Sequence, residues 1–108
     1  KMKRDFTYVK DIVQGVYIVM KEVYNRQEQR HELYNIGYGK MEELVDYVEI
    51  LEEGLGIVAE KKLVPHHPAD VLASWADITK ISTLGYKPTT SIRDGVSAFT
   101  DWYKEYYK

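Results

Sequence analysis

The hydrophobic pattern changes period soon after the start of the chain. From Phe6 to Val9 aromatic and β-branched residues alternate with other side chains, the period of a short strand. From Asp11 onward, Ile12, Val13, Val16, Tyr17, Val19, Met20, Val23 and Tyr24 recur at helical spacing, which predicts an amphipathic helix over 11–24. "NRQEQRHE" reads as a polar connection, and "ELYNIG" as a second strand closed by glycine. "MEELVDYVEILEEGLG" predicts a second helix, apolar at Met41, Leu44, Val45, Val48, Leu51 and Leu55 and stopped at Gly54 or Gly56. "EKKLVP" offers a further short strand, and "HHPADVLASWAD" a loop. Asp77 suits the cap of a short helix that ends near Gly85. Ser91 and Asp94 make a capping-box-like start, with Asp in place of the usual Glu. Ile92, Val96, Phe99, Trp102, Tyr103 and Tyr106 then mark a last helix.

This order has the flavour of an α/β protein, or α+β as an isolated piece, with few short strands and about four helices. Parallel strands need neighbours and helices on both faces, so the predicted sheet is incomplete.

At 108 residues the chain is one domain or a piece of one. Its 15 basic and 17 acidic side chains give a net charge of −2, which argues against nucleic acid as a partner. No run approaches the roughly 18 apolar residues of a membrane span, so no membrane partner is expected. The absence of cysteine excludes a disulfide framework, a thiolate nucleophile and a Cys-based zinc site. It fits a cytoplasmic protein. Ten tyrosines point to half-wet surfaces or to contact with a partner.

Three patterns imitate active-site chemistry. Gly37 and Gly39 in "NIGYGKME" follow a predicted strand and precede a helix, like the start of a dinucleotide fingerprint. Glu42 stands where the third glycine belongs, so the expectation is a glycine turn. Tyr17 and Lys21 spell Y-x-x-x-K on one helix face, but Tyr17 lies within the apolar stripe, so a packed tyrosine beside a solvated lysine is expected. His66 and His67 are adjacent, and adjacent side chains do not supply the three or four ligands a zinc ion needs. No catalytic, cofactor-binding or metal-ligating residue is therefore assigned.

"RDFTYVKDIVQGV", "ELYNIGYGK", "PADVLASWADITK" and "LGYKPTTSIRDGVSAFTDWYKEY" stand in one order along the whole chain. Together they resemble the C-terminal part of extended short-chain dehydrogenase/reductases, the nucleotide-sugar epimerases of the UDP-glucuronate 4-epimerase type. The resemblance implies that residues 1–108 are a single C-terminal substrate-binding segment, with Lys1 and Met2 continuing from upstream sequence. It implies that the NAD-binding Rossmann part, with the glycine-rich loop and the catalytic Tyr, Lys and Ser or Thr, is absent from this chain. NAD would then serve the parent enzyme, and this segment alone would bind none and be inactive. Arg4 matches the arginine of the family's R-D-[FY] motif, which contacts the UDP diphosphate. Asp70 matches the aspartate that accepts a hydrogen bond from a ribose hydroxyl. His67 falls where relatives carry Arg or Gln three residues before that aspartate, and Ala69 replaces a frequent glycine. Arg4, Asp70 and His67 are thus the substrate-binding candidates, with a UDP-sugar as the ligand. Arg4 and Asp70 are expected to approach one cleft.

Two other functions fit the same sequence. One is a free-standing nucleotide-binding or assembly module without catalysis. The other is the corresponding portion of a nucleotide-sugar dehydratase or decarboxylase. The unpaired edge of "ELYNI" and the broad apolar surface of the 11–24 helix further predict self-association at high concentration.

Overall fold

The computed structural model describes residues 1–26 and 31–108. Among these the order is β1 (Lys3–Arg4), α1 (Val9–Asn25), β2 (Glu42–Glu43), α2 (Leu44–Leu55), α3 (Thr79–Ser82) and α4 (Ile92–Tyr106). The four helices stand where the hydrophobic period placed them. α1 begins two residues before Asp11, with Tyr8 as its N-cap. Ser91 caps α4, its hydroxyl oxygen accepting the Asp94 N–H at 3.1 Å. The N-cap of α3 is Ile78 rather than Asp77, whose carboxylate accepts the Thr79 N–H at 3.0 Å from one residue further out. Gly56 closes α2 in the left-handed conformation (φ 73°).

The strands differ from expectation. β1 lies at Lys3–Arg4 rather than Phe6–Val9, and it pairs antiparallel with β2, Lys3 opposite Glu43 and Arg4 opposite Glu42. On its other side Lys3 makes a parallel bridge to Ala73, with the Lys3 N–H donating to the Leu72 carbonyl at 2.9 Å. Neither "ELYNI" from His31 on nor "EKKLVP" forms a strand. A strand exists only where a second backbone meets its N–H and C=O groups. Residues 2–4 find two such neighbours, and among the described residues 33–36 find none. The predicted connection's residues 27–30 lie outside the described residues.

Two packing centres hold the helices. α2 crosses α4 at Gly54, where a Cβ would stand 2.6 Å from the Thr100 hydroxyl, so the absent side chain sets the close approach. Ile81, Tyr86 and Val96 are the buried hydrophobic residues. The Tyr86 hydroxyl donates to the Gly37 carbonyl at 2.7 Å. Burial pushes the Tyr86 hydroxyl pKa up, and the Asp11 and Asp5 charges push it further the same way.

The inner face of α1 carries Asp11 and Gly15. The Asp11 carboxylate accepts the Thr90 N–H at 3.0 Å and the Thr89 N–H at 3.3 Å, tying α1 to the entry of α4. A Cβ on Gly15 would meet Ile36 Cγ2 at 2.7 Å. The opposite face, Val9, Val13, Val16, Tyr17, Met20, Val23 and Tyr24, is exposed. Tyr17 is therefore not packed as expected; it is 58% exposed, because no element among the described residues covers that side of α1.

The molecule is a slab of 54 × 38 × 19 Å. Its radius of gyration of 17.1 Å exceeds the roughly 13 Å of a compact domain of this length. Its accessible surface is 8629 Å², against about 6,200 Å² for a compact monomer of 12.7 kDa. Among the described residues no helix is long and apolar enough to cross a membrane.

Candidate functional site

Three segments meet at β1: residues 3–7, the 37–39 turn and the 70–76 stretch. Asp5 joins them. Its carboxylate accepts the N–H groups of Tyr38 at 3.0 Å, Gly39 at 2.9 Å and Ala76 at 3.2 Å, and the Thr7 hydroxyl at 2.8 Å. Burial pushes the Asp5 carboxyl pKa up. Hydrogen bonds from Gly39, Tyr38, Thr7 and Ala76 together outweigh that and hold it below the usual carboxylate value.

Arg4 and Asp70, 66 residues apart, converge beside this junction. Arg4 Nη2 donates to Asp70 Oδ1 at 2.8 Å, and Nη1 donates to the Lys3 carbonyl at 2.8 Å. The pair is open to solvent, with side-chain exposures of 28% and 46%. Arg4 also lines an open cleft of about 330 Å³ with Asp5, Thr7, Ile36, Gly37, Ser74, Trp75 and Ala76. Of the other hollows, one of about 370 Å³ is lined by Glu49, Glu52 and Glu53 with Gly56, Ile57 and Val58, and two hold no comparable set of convergent polar groups. One of about 250 Å³ between Phe6, Tyr47 and α4 has no charged lining residue. Another of about 440 Å³ between α2 and α4 has only Lys104.

His67 sits on the turn that presents Asp70. Its Nδ1 accepts the Ala69 N–H at 3.1 Å, and its carbonyl accepts the Asp70 N–H at 3.0 Å. His66 Nε2 lies 2.8 Å from the Asp70 carbonyl oxygen. Both rings thus brace the turn. Of the three candidates Arg4 lines the cleft; Asp70, which meets Arg4 through its ion pair, and His67 do not line it. Among the described residues no three His, Asp or Glu side chains cluster as a metal site would require.

No family model matches the sequence. Relatives and solved structures do. A 37.6 kDa protein of Escherichia coli O111:H- is 36% identical over 100% of this chain and 36% of its own length. A UDP-glucuronate 4-epimerase of Thermodesulfobacterium geofontis is 36% identical over 94% of this chain and 30% of its own. The crystal structure of the UDP-glucuronic acid 4-epimerase from Bacillus cereus, with UDP-glucuronic acid and NAD, matches with a TM-score of 0.81 and 33% identity. That match covers 98% of this chain and 33% of the other. This chain corresponds to a C-terminal segment of the extended short-chain dehydrogenase/reductases. It spans about a third of the length of the curated relatives it matches.

Within that family frame the imitations of chemistry resolve physically. The Tyr38 and Gly39 amides, which a dinucleotide loop would aim at a pyrophosphate, are already engaged by Asp5. Glu42 lies in β2 opposite Arg4. The amides of the turn thus have their acceptor within the chain. Lys21 Nζ stands 5.6 Å from the Tyr17 ring centre on an exposed helix face. Sequence reasoning did not single out Asp5 as a site residue. Its partners lie 33, 34 and 71 residues away and are backbone amides, which leave no side-chain signature. The signal available was the glycine pair, which marks a place where something must come close to the backbone.

Proposed function

We propose that this chain is the UDP-sugar-gripping portion of an NAD-dependent nucleotide-sugar 4-epimerase. Arg4 holds the diphosphate, and Asp70 accepts a hydrogen bond from a ribose hydroxyl. The observation that carries this reading is the meeting of Asp70 with Arg4, which lines an open cleft. A guanidinium binds two phosphate oxygens in one plane, and an ionised carboxylate accepts from a sugar hydroxyl. Their ion pair is an exposed one of small intrinsic worth, so a ligand that meets both charges replaces it at little cost. His67 braces the turn behind Asp70 and sets where its carboxylate stands. The exposed apolar face of α1 supports the rest of the reading, because it suits contact with the remainder of a longer enzyme. The redox and proton-transfer groups belong to that remainder, and the chain alone is inactive.

Titration of UDP into the ¹⁵N-labelled chain tests the site. UDP should shift the Arg4 side-chain resonance, and Arg4→Ala should weaken binding by roughly tenfold or more. Uridine, which lacks the diphosphate, should bind weakly and be indifferent to Arg4→Ala. No shift at Arg4 or Asp70 with millimolar UDP would end this reading. Incubation with UDP-glucuronate and NAD should give no epimer above the protein-free control.

A further inference from the structure

We propose that Asp5 is a positioning residue for the nucleotide-sugar site: its carboxylate is a built-in anion that locks the 37–39 turn and the 70–76 stretch around Arg4. The proposal rests on the role given above to Arg4 and Asp70.

The geometry is that of a phosphate-binding loop turned inward. Three backbone N–H groups from two separate segments, Tyr38, Gly39 and Ala76, converge on one carboxylate. Such convergence is how backbone amides hold an oxyanion. The glycines are needed for the usual reason. A Cβ on Gly37 would stand 2.9 Å from Asp5 Oδ2 and 2.7 Å from the Ala76 Cβ, and Gly39 has φ of +81°. "NIGYGK" imitates a phosphate loop because it does hold an oxyanion, one supplied by the protein itself.

The consequences reach Arg4 and Asp70 along the backbone. Asp5 is bonded directly to Arg4, so fixing its carboxylate fixes the end of β1 from which the guanidinium extends. Ala76 ends a stretch that starts at Asp70 and is tied to Lys3 in between, where the Ser74 N–H donates to the Lys3 carbonyl at 3.3 Å. Four donors saturate Asp5. It has no reason to leave for a ligand, whereas Asp70 has one exposed side-chain partner. The depressed Asp5 pKa agrees with this. The stability it lends is complete above the ordinary carboxylate range and is lost as pH falls through the lower folded value.

The test compares the chain with Asp5→Asn and Asp5→Ala by NMR, following the Tyr38, Gly39 and Ala76 amides and the Arg4 Nε–H, with and without UDP. In the unsubstituted chain the three amides should titrate together, with one midpoint below the ordinary carboxylate value. In Asp5→Asn the Arg4 Nε–H should broaden or move and UDP affinity should fall roughly tenfold. In Asp5→Ala, formate should restore both in part, since it returns an oxyanion to the same donors; chloride at equal ionic strength should not. If Asp5→Ala does not fold, the acid titration and the Asn variant decide. A folded Asp5→Asn with unchanged Arg4 Nε–H overturns the proposal, as do three amides with unrelated midpoints. Failure of the unsubstituted chain to bind UDP removes the nucleotide reading alone, because the Arg4 and amide signals still report whether Asp5 positions them.

Discussion

The two faces of α1 invert the usual arrangement. The inner face buries a carboxylate and a glycine, Asp11 and Gly15. The outer face presents Val9, Val13, Val16, Tyr17, Met20, Val23 and Tyr24 to solvent. Inside, the two buried positions make specific contacts: Asp11 meets the Thr89 and Thr90 backbone, and Gly15 makes room for Ile36 and Tyr86. Outside, the surface is apolar and general. The difference teaches that a hydrophobic stripe says a face wants cover, and says nothing of whether this chain supplies it.

The inner face should break most easily. Asp11→Ala leaves the Thr89 and Thr90 amides without their acceptor and should lower stability by about 2–3 kcal/mol, read from urea unfolding. Gly15→Ala should cost less, about 1–2 kcal/mol. The new methyl crowds Ile36 by more than the gain in helix propensity returns. On the outer face, Val13→Lys with Met20→Lys should leave stability within about 0.5 kcal/mol. We propose that this face drives self-association of the chain at high concentration, visible in sedimentation equilibrium across a wide concentration range, and that the same pair abolishes it. Leu33→Pro should leave association intact, since residues 33–36 form no strand. Association lost with Leu33→Pro and kept with the two lysines would reverse the assignment from helix face to backbone edge.

The helices were legible because their signal is local. A period of 3.6, a serine cap at Ser91 and a glycine stop at Gly56 act within one or two turns. The strands were less legible because pairing is not local. Lys3–Arg4 becomes a strand through partners at Glu42–Glu43 and Ala73, and no alternation of side chains announces that. The meeting of Arg4 and Asp70 was legible through motif order rather than through chemistry, since any surface arginine could pair with an acid. Asp5 stood beside Arg4 in the same motif and still passed unnoticed. An acid that serves the backbone looks, in sequence, like an acid that serves the solvent.

The thickness of the slab, 19 Å, has a thermal consequence. That is a little under two helix diameters of about 10–12 Å, so no side chain lies far from water. Unfolding then exposes less new apolar surface than it does in a compact domain. The heat-capacity increment should fall below the roughly 1.2–1.5 kcal/mol/K typical of 100 residues. The stability curve of the chain should be correspondingly shallow, with melting spread over a wide range of temperature, which a calorimetric scan would read. Covering the outer face of α1 with another surface would sharpen that melting and raise the increment, with no change to any bond inside the segment.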